Sequence, residues 1–460
     1  MNHDDLNHWS KRAADWITDY HATLRDRPVR APVSPGDVLA RLPATAPDMA
    51  ETPEDILADF EALIPGALTH WQHPRFFAYF PANAAPASML AEQLMSGIGA
   101  QAMLWQTSPA ATELEQGMIR WLIRALDMPE DWTGTIHDSA TTATLSAVLT
   151  MRERALGFAG LTEGLSDQPR LRIYASAQTH SSVDKAVRLA GIGQDNLVKV
   201  PTRDDLSMDP DALTRAIEAD VAAGLMPAGI VFCAGGTAVG AFDEITACLP
   251  VARAHDLMTH VDAAWAGSAM ICPEFRTLLK GAEDCDSLVF NPHKWMGAQF
   301  DCAVQLIRDP VDQIRTLGLR PDYLQTLEGE DVTNFNEWTV PLGRRMRALK
   351  LWFVLRAHGL DGIRTRIRNH VAWTRELCEV LRGEPGLEIT SEPRLSLFSF
   401  ALTGGCAATE ALLTRINADG RIYLTQTTHA GRFVIRFTCG TWDCTRDDVM
   451  AVREVIRDLR

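Results

Sequence analysis

A lysine, an aspartate and a histidine each lie at or just after the end of an apolar, strand-like run. Lys294 comes after SLVF within FNPHKW, Asp262 ends MTHVD, and His180 follows LRIYAS. A lysine at the end of a buried strand is costly to leave charged, so it either reaches solvent or serves as a poorly solvated amine. Because ligands bind beyond the carboxyl ends of parallel strands, we expect these side chains to converge there.

Small and hydroxyl-bearing residues accompany these three. Thr237 follows GIVFCA, Asn291 directly follows SLVF, and Ala140 and Thr141 begin a predicted helix. Pyridoxal phosphate needs such a set: a lysine to bind its aldehyde, a carboxylate at its pyridine nitrogen, a flat group on its ring, and hydroxyl and N–H groups around its phosphate. These residues therefore predict a binding site for this cofactor.

Each member of the set also has a simpler explanation. An aspartate after a strand often caps a helix, a lone histidine is often an ordinary core or surface residue, and SSVD (181–184) is typical of a capping box. GIG (191–193) lacks the third glycine of a dinucleotide-binding loop, so we assign it to a turn. The spacing alone does not decide between these explanations and a cofactor site.

The composition is that of an ordinary globular protein. The 460-residue chain has a net charge of −15 and a pI of about 5.3, which argues against nucleic acid as a partner. Its nine cysteines include no CxxC pair, so we predict reduced cysteines, no metal site and a cytoplasmic protein. Neither an apolar signal sequence nor an apolar run of about 18 residues is present, so we expect no membrane span.

The elements around the candidate residues predict an α/β fold. Between residues 71 and 350, β-rich runs such as LRIYAS and MTHVDAA alternate with helical stretches such as SSVDKAVRLA and DEITACLPVARAH. Strands separated by helices predict a mostly parallel sheet that is covered on both faces. Residues before 71 predict helices broken by proline-rich loops, with Thr52 as one N-cap, and residues after 351 predict a long helix followed by a small α+β domain.

We therefore predict three parts of the chain. These are an N-terminal helical arm (1–82) that forms a dimer, a large cofactor-binding domain (83–350) and a small C-terminal domain (351–460). The arm is expected to pack on a second subunit, because short helices cannot bury their own apolar faces.

Longer stretches resemble the aromatic-L-amino-acid decarboxylase family, the group II pyridoxal-phosphate-dependent decarboxylases. The stretches are HVDAAWAGSAMICPEFRTLLKG followed by NPHKW, together with HPRFFAYFPA, SPAATELE, THSSVDKA and WTVPLGRRMRALKLWFVLR, and the similarity extends to about residue 440. This resemblance implies the fold of type I pyridoxal-phosphate enzymes, like the transferases of that class. It also implies a homodimer with the active site at the subunit interface.

The resemblance assigns roles to residues that match the family's motifs. Lys294 corresponds to the lysine that binds the cofactor aldehyde, Asp262 to the pyridine-nitrogen aspartate and His180 to the histidine that stacks on the ring. Tyr323, in RPDYLQTLEGED, corresponds to a catalytic tyrosine on a mobile loop. The other implied cofactor contacts are Ala264 beside the ring, His293 beside the lysine, and Ala140, Thr141, Thr237 and Asn291 around the phosphate.

The resemblance also implies a pocket for an aromatic substrate, formed by Trp71, Tyr79, Phe80, Pro81, Ala82, Gln101, Met103 and Ser396. Ala82, Gln101 and Met103 differ from the threonine, isoleucine and phenylalanine of animal members. The Gln101 amide needs a partner, which is either a substrate hydroxyl or indole N–H, or the backbone. Ser396 favours tyrosine, dopa or phenylalanine, because plant members tend to have glycine there for indolic substrates.

The implied reaction is decarboxylation of an aromatic L-amino acid, of the tyrosine, dopa, phenylalanine or tryptophan type, to its amine. Members that form aldehydes often replace the loop tyrosine or the stacking histidine, so Tyr323 and His180 favour decarboxylation. Three alternatives stand beside this prediction: a decarboxylase for acidic amino acids, which would use an arginine such as Arg75 or Arg320; an oxidative aldehyde synthase; and a non-catalytic dimeric scaffold.

Overall fold

The structure is a computed structural model that describes residues 2–319 and 332–460. Tyr323 and Arg320 lie outside the described residues. The helices are α1 (His3–Ala22), α2 (Pro53–Leu63), α3 (Pro86–Ile98), α4 (Pro109–Leu126), α5 (Ala140–Ala155), α6 (Gly160–Glu163), α7 (Ser181–Leu189), α8 (Pro210–Ala222), α9 (Ile245–Ala254), α10 (Pro292–Trp295), α11 (Val311–Leu317), α12 (Ala348–Arg382), α13 (Cys406–Asp419) and α14 (Arg446–Leu459). The strands are β1 (Thr133–His137), β2 (Leu171–Ser176), β3 (Leu197–Val200), β4 (Met226–Cys233), β5 (Met258–Asp262), β6 (Ser287–Phe290), β7 (Ala303–Ile307), β8 (Leu387–Arg394), β9 (Leu397–Leu402), β10 (Thr425–His429) and β11 (Arg432–Thr438).

The central sheet has seven strands in the order β1-β7-β6-β5-β4-β2-β3. Strands β3, β2, β4, β5 and β6 are parallel, and β7 is antiparallel to both of its neighbours. Every residue of β5 and β6 is buried, as expected for strands covered on both faces. The predicted mostly parallel α/β fold is therefore confirmed.

The chain divides into two compact units. The first comprises Met1–Pro81, Glu376–Thr390 and Ser399–Arg460, and the second comprises Ala82–Arg375 and Ser391–Phe398. In the second unit, α5 and α7 pack through residues such as Val148 and Val183 on apolar side chains of β2 and β4. This packing fixes the N-termini of both helices relative to the strand ends.

The N-terminal part of the first unit contains the helices α1 and α2. Helix α1 contains no buried residue, and neither does α2. Thr52 caps α2 as predicted, since its side chain accepts a hydrogen bond from the Asp55 N–H at 3.1 Å. A smaller sheet, in the order β10-β11-β9-β8, is present in the C-terminal part of the chain.

All nine cysteines are thiols, and all except Cys406 are buried. Among the described residues, no helix has the length and apolar character that a membrane crossing requires.

A buried ion pair between Glu115 of α4 and Arg344 makes hydrogen bonds to β1. The Arg344 guanidinium lies 2.6 Å from Glu115 Oε1, and the two side chains are only 2% and 1% exposed. The same carboxylate oxygen accepts hydrogen bonds from the Ile136 N–H and the Thr135 hydroxyl at 2.8 and 2.9 Å. The pair thus holds β1, which leads into α5, against α4.

We expect Glu115→Gln to lower the free energy of unfolding by about 3 kcal/mol, because the Arg344 charge stays buried without its counterion. Urea unfolding at fixed protein concentration measures this change. The control is Glu388→Gln, which breaks an exposed pair with Arg432 (2.8 Å) and should cost less than about 1 kcal/mol. Equal effects of the two variants would contradict the prediction.

Candidate active site

The parallel strands of the central sheet bring the predicted functional residues to one edge. Cys233, at the end of β4, is paired with Asp262 at the end of β5, and Asp262 is paired with Val289 near the end of β6. The segments that contain Thr237 and Lys294 directly follow β4 and β6. The convergence expected from the sequence is therefore present in the second unit.

His180 lies at the N-terminus of α7, close to Asp262 and Lys294. Burial lowers the pKa of His180, while the Asp262 carboxylate raises it and the Lys294 ammonium lowers it, so all three side chains lie within electrostatic reach of one another. His180 Nδ1 accepts a hydrogen bond from the Ser182 N–H at 3.1 Å. A neutral His180 ring with Nδ1 as acceptor has its proton on Nε2.

The N-cap of α7 is His180 itself. The interpretation of SSVD as a capping box that starts at Ser181 is therefore wrong, because Ser181 is already inside the helix. A histidine ring is an unusual N-cap, and the sequence pattern favoured the hydroxyl next to it.

Asp262 is buried, with 7% of its surface exposed, and its Oδ1 accepts a hydrogen bond from the Ala264 N–H at 3.1 Å. Ala264 packs against Ala140 and Val289. The start of α5 therefore lies beside the turn that follows Asp262. This places the predicted ring contacts next to the predicted phosphate contacts.

Lys294 is half-buried in the short helix α10, and Asn83 holds that helix from a distant part of the sequence. The Asn83 side-chain amide donates to the Lys294 carbonyl, and the Asn83 N–H donates to the His293 carbonyl at 2.7 Å. Sequence analysis missed Asn83. The only indication of Asn83 in the sequence was its position directly after Ala82, the last of the consecutive predicted substrate residues.

The side chains on either side of Lys294 are buried and hydrogen-bonded. Trp295 stacks on Trp265 with ring centroids 5.1 Å apart, and its Nε1–H donates to His370 Nδ1 at 3.0 Å. His293 Nδ1 accepts from the Cys302 N–H at 2.9 Å, so a neutral His293 ring carries its proton on Nε2. Burial, together with the Lys294 ammonium, lowers the pKa of His293 to about 3.

The predicted phosphate contacts surround a helix N-terminus and a glycine turn. Helix α5 begins at Ala140 and Thr141, and the first N–H groups of a helix need acceptors from outside it. The turn before Thr237 is held because the Gly235 and Gly236 N–H groups donate to the Ala241 carbonyl at 2.8 and 2.9 Å. Gly235 has φ +82°, and a Cβ there would lie only 2.6 Å from the Ala266 Cβ.

Asn291 supplies a further observation on the cofactor. Its side-chain oxygen is buried and has no hydrogen-bond partner among the described residues. A buried polar atom without a partner is costly, and a polar ligand beside it would remove that cost. The amine, the carboxylate, the neutral imidazole, the helix N-terminus and this amide together fit pyridoxal phosphate.

Gln101 and Met103 contact the segment around residue 340. Gln101 is exposed, and its side-chain oxygen accepts from the Arg344 N–H at 2.7 Å. The Met103 carbonyl accepts from the Asn336 N–H at 3.0 Å. Of the two partners predicted for the Gln101 amide, the structure shows the backbone.

Ser396 is fully buried between β8 and β9. The neighbouring Arg394 packs on Gly240, where an added Cβ would lie 2.8 Å from the Arg394 Cβ. Gly240 closes the turn that contains Thr237, one of the predicted phosphate contacts. The turn between β8 and β9, which contains Ser396, therefore lies close to that predicted contact.

Four of the predicted substrate residues belong to the first unit. Trp71 and Tyr79 stack with ring centroids 5.7 Å apart at an interplanar angle of 20°. Phe80 is buried beneath the Arg436 guanidinium, 5.4 Å from the ring centroid, and Pro81 contacts Gly440. Ala82 begins the second unit.

Arg75, one of the two arginines considered for an acidic substrate, has a structural partner. Its Nε lies 3.1 Å from the carboxylate of Asp448, which is 2% exposed and also pairs with Arg25. This engagement disfavours Arg75 as a substrate ligand.

Comparison with known proteins agrees with this geometry. Residues 35–403 match the pyridoxal-dependent decarboxylase conserved domain. The chain is 39% identical to the aromatic-L-amino-acid decarboxylase of Sus scrofa, covering 100% of this chain and 97% of the relative. It is 35% identical to a phenylacetaldehyde synthase of Arabidopsis thaliana, covering 96% and 92%. A crystal structure of Oryza sativa TDC with PLP and tryptamine matches with a TM-score of 0.96 at 33% identity, covering 100% and 98%.

The chain therefore belongs to the pyridoxal-dependent decarboxylase family. It is a carboxy-lyase that uses pyridoxal 5′-phosphate, and the family and cofactor predicted from the sequence are confirmed.

We expect the protein to lose stability on acidification because its buried histidines resist protonation. Burial lowers the pKa of His370 to about 3. In the unfolded chain the pKa of this histidine is about 6.5, so below pH 6.5 the unfolded chain binds a proton that the folded protein does not. This difference lowers the free energy of unfolding by about 2 kcal/mol at pH 5.

The test compares urea unfolding at pH 7 and pH 5 for the wild type and His370→Gln, whose amide oxygen can still accept from Trp295. The decrease in the free energy of unfolding from pH 7 to pH 5 should be about 2 kcal/mol smaller in His370→Gln than in the wild type. The exposed His255→Gln variant should behave like the wild type. An unchanged loss in His370→Gln would contradict the assignment.

Proposed function

We propose that this protein decarboxylates an aromatic L-amino acid to the corresponding amine and CO2. The observation that carries the proposal is the cluster of Lys294, Asp262 and His180 at one edge of the parallel sheet, in a chain related over its full length to decarboxylases. The same cluster opposes the non-catalytic scaffold, because a scaffold has no need for a half-buried lysine beside a buried carboxylate.

The proposed roles follow from the charge and protonation of each side chain. When bound, pyridoxal phosphate supplies the electron sink for the pair released from the Cα–carboxylate bond. Asp262 would hold a proton at the pyridine nitrogen, and Lys294 would bind the aldehyde carbon. His180, kept neutral by burial, would pack on the ring face without adding a positive charge there.

Two further groups are proposed to handle protons and the phosphate. Tyr323 would deliver a proton to Cα, in keeping with the sequence resemblance. The N–H groups at Ala140 and Thr141, the Thr237 side chain and the Asn291 amide would surround the phosphate, and Ala264 would contact the ring. His293 would present its Nε2–H to the bound amino acid.

The proposed substrate is aromatic because the segment from Trp71 to Pro81 offers flat apolar rings. Arg75 gives the acidic alternative no support, since it is engaged by Asp448. Ser396 leans towards tyrosine, dopa or phenylalanine over tryptophan. The rice structure with tryptamine keeps tryptophan among the substrates to be tested.

We expect the protein with added pyridoxal phosphate to release CO2 and amine from at least one of tyrosine, dopa, phenylalanine and tryptophan, identified by mass spectrometry. Lys294→Ala should lower kcat by at least about 1000-fold, because the lysine takes part in every turnover. It should also remove the absorbance of lysine-bound cofactor. The exposed Lys280→Ala variant is the matched control and should keep both. Amine from glutamate or aspartate alone would contradict the aromatic proposal.

An oxidative aldehyde synthase is the second candidate, since one relative bears that name. The retained Tyr323 and His180 favour the amine. Oxygen uptake, with aldehyde and peroxide in place of amine in the same assay, would establish the second candidate instead.

We also propose that the protein is a cytoplasmic homodimer with its active site at the subunit interface. The buried thiols suit a reducing compartment. Helix α3 exposes Leu90, Leu94 and Ile98 on one face, at 51%, 47% and 66% exposure. Side chains at this four-residue spacing form one apolar stripe, which a monomer would leave in water. Two copies of the chain would cover the stripe and the unburied helices α1 and α2.

We expect light scattering to give about twice the chain mass of 50.7 kDa for the wild type. The Leu94→Glu/Ile98→Glu variant should be shifted to the monomer, because two carboxylates would have to be desolvated in the interface. Leu161→Glu, at an exposed leucine of α6, is the control and should stay dimeric. A dimeric double variant would refute α3 as part of the interface.

A further inference from the structure

Tyr423 lies against the substrate segment but has no role in the mechanism proposed above. It lies between α13 and β10, and its backbone forms an isolated parallel bridge with Phe76. The Tyr423 N–H donates to the Arg75 carbonyl at 3.3 Å, and its carbonyl accepts from the Phe77 N–H at 3.0 Å. The backbone of Tyr423 is therefore fixed against the residues that lead into Tyr79.

The Tyr423 ring completes an aromatic cluster formed by Trp71, Phe76, Tyr79 and Tyr423. Its centroid is 5.6 Å from that of Phe76 and 6.2 Å from that of Tyr79, at angles of 69° and 62°. Such edge-to-face contacts are the favoured geometry for aromatic pairs. Trp71 stacks on both Phe76 (4.7 Å) and Tyr79 (5.7 Å), so the four rings support one another.

Tyr79 depends on this support because its backbone is in an unfavourable conformation. Its φ is +49°, in the left-handed region that residues with a side chain rarely adopt. Tyr79 and Trp71 are also 46% and 39% exposed, so few other groups hold their rings in place. Burial, together with hydrogen bonding to the Tyr79 side chain, raises the pKa of Tyr423 to about 12, so its phenol stays neutral beside Tyr79.

We infer that Tyr423 is a positioning residue for substrate binding: it holds Tyr79 in the orientation in which the Tyr79 ring stacks with Trp71 and offers an exposed ring face to an aromatic side chain. The inference rests on the proposed function, because it takes Trp71 and Tyr79 as contacts of the substrate. The exposed ring faces are flat and apolar. They therefore select amino acids with flat aromatic side chains over those with aliphatic or charged ones.

Steady-state kinetics of the cofactor-loaded enzyme tests the inference with two substitutions. Tyr423→Leu removes the ring and should raise KM for the aromatic substrate about tenfold, with kcat changed less than twofold, because a lost aromatic pair weakens binding by up to that factor. Tyr423→Phe keeps the ring and should raise KM about threefold through the lost hydrogen bond alone. Tyr174→Phe is the matched control: it loses a hydroxyl bonded to Asp220 at 2.7 Å and should leave KM unchanged.

A double-mutant cycle separates positioning from a direct contact. If Tyr423 acts through Tyr79, adding Tyr423→Phe to Tyr79→Leu should raise KM no further. Full additivity of the two changes would overturn the inference, and so would an unchanged KM in a folded Tyr423→Leu protein. If Tyr423→Leu does not fold, the comparison of Tyr423→Phe with Tyr174→Phe decides the same question.

Equilibrium binding of 2-phenylethylamine, an aromatic amine, gives a readout that does not require turnover. Tyr423→Leu should weaken binding to the cofactor-loaded protein about tenfold relative to the wild type. A wild type that forms no amine from any aromatic acid would refute the proposed function. Equal affinities of the wild type and Tyr423→Leu for the probe would refute the positioning role alone.

Discussion

The second unit depends on one constraint. It must hold an amine, a carboxylate and an imidazole close together in a partly buried site. Each of these groups is costly to bury without partners, and each must keep one particular protonation state. The parallel sheet meets this requirement because adjacent strands end in register, with Cys233 beside Asp262 and Asp262 beside Val289. The side chains after these strands therefore converge at one edge of the sheet.

The surroundings of the cluster fix its geometry from the protein side. Asn83 donates hydrogen bonds to two successive carbonyls of α10, and Trp295, the residue after Lys294, is buried in a stack with Trp265. The Gly235 turn lets the chain pass close to Ala266, where any side chain would collide. The short helix that carries Lys294 needs such support, because four residues cannot form a stable helix on their own.

The sequence predicted those parts of the site that follow from local pattern. Lys294, Asp262, His180 and Thr237 could be found because each comes just at or after a recognisable strand, and the parallel order of the strands then brings them together. Asn83 and Tyr423 could not be found in this way, since both act on segments hundreds of residues away in sequence. The capping of α7 was also missed, because pattern rules favour serine at an N-cap, whereas here His180 has that place. The bond from Gln101 to the Arg344 N–H depends on the same kind of long-range contact.

Burial links the chemistry of the site to the stability of the whole unit. The proposed role of His180 requires a neutral ring, and burial lowers its pKa, as it lowers the pKa values of His293 and His370. The same burial means that the unfolded chain binds protons more readily than the folded one, so acid favours unfolding. A more exposed site would relieve this sensitivity. It would also let water reach Lys294 and Asp262 and weaken the electrostatic contacts among the three groups, because charges interact more weakly in water than in a protein interior. Acid sensitivity is thus a direct consequence of keeping these imidazoles neutral at the edge of the sheet.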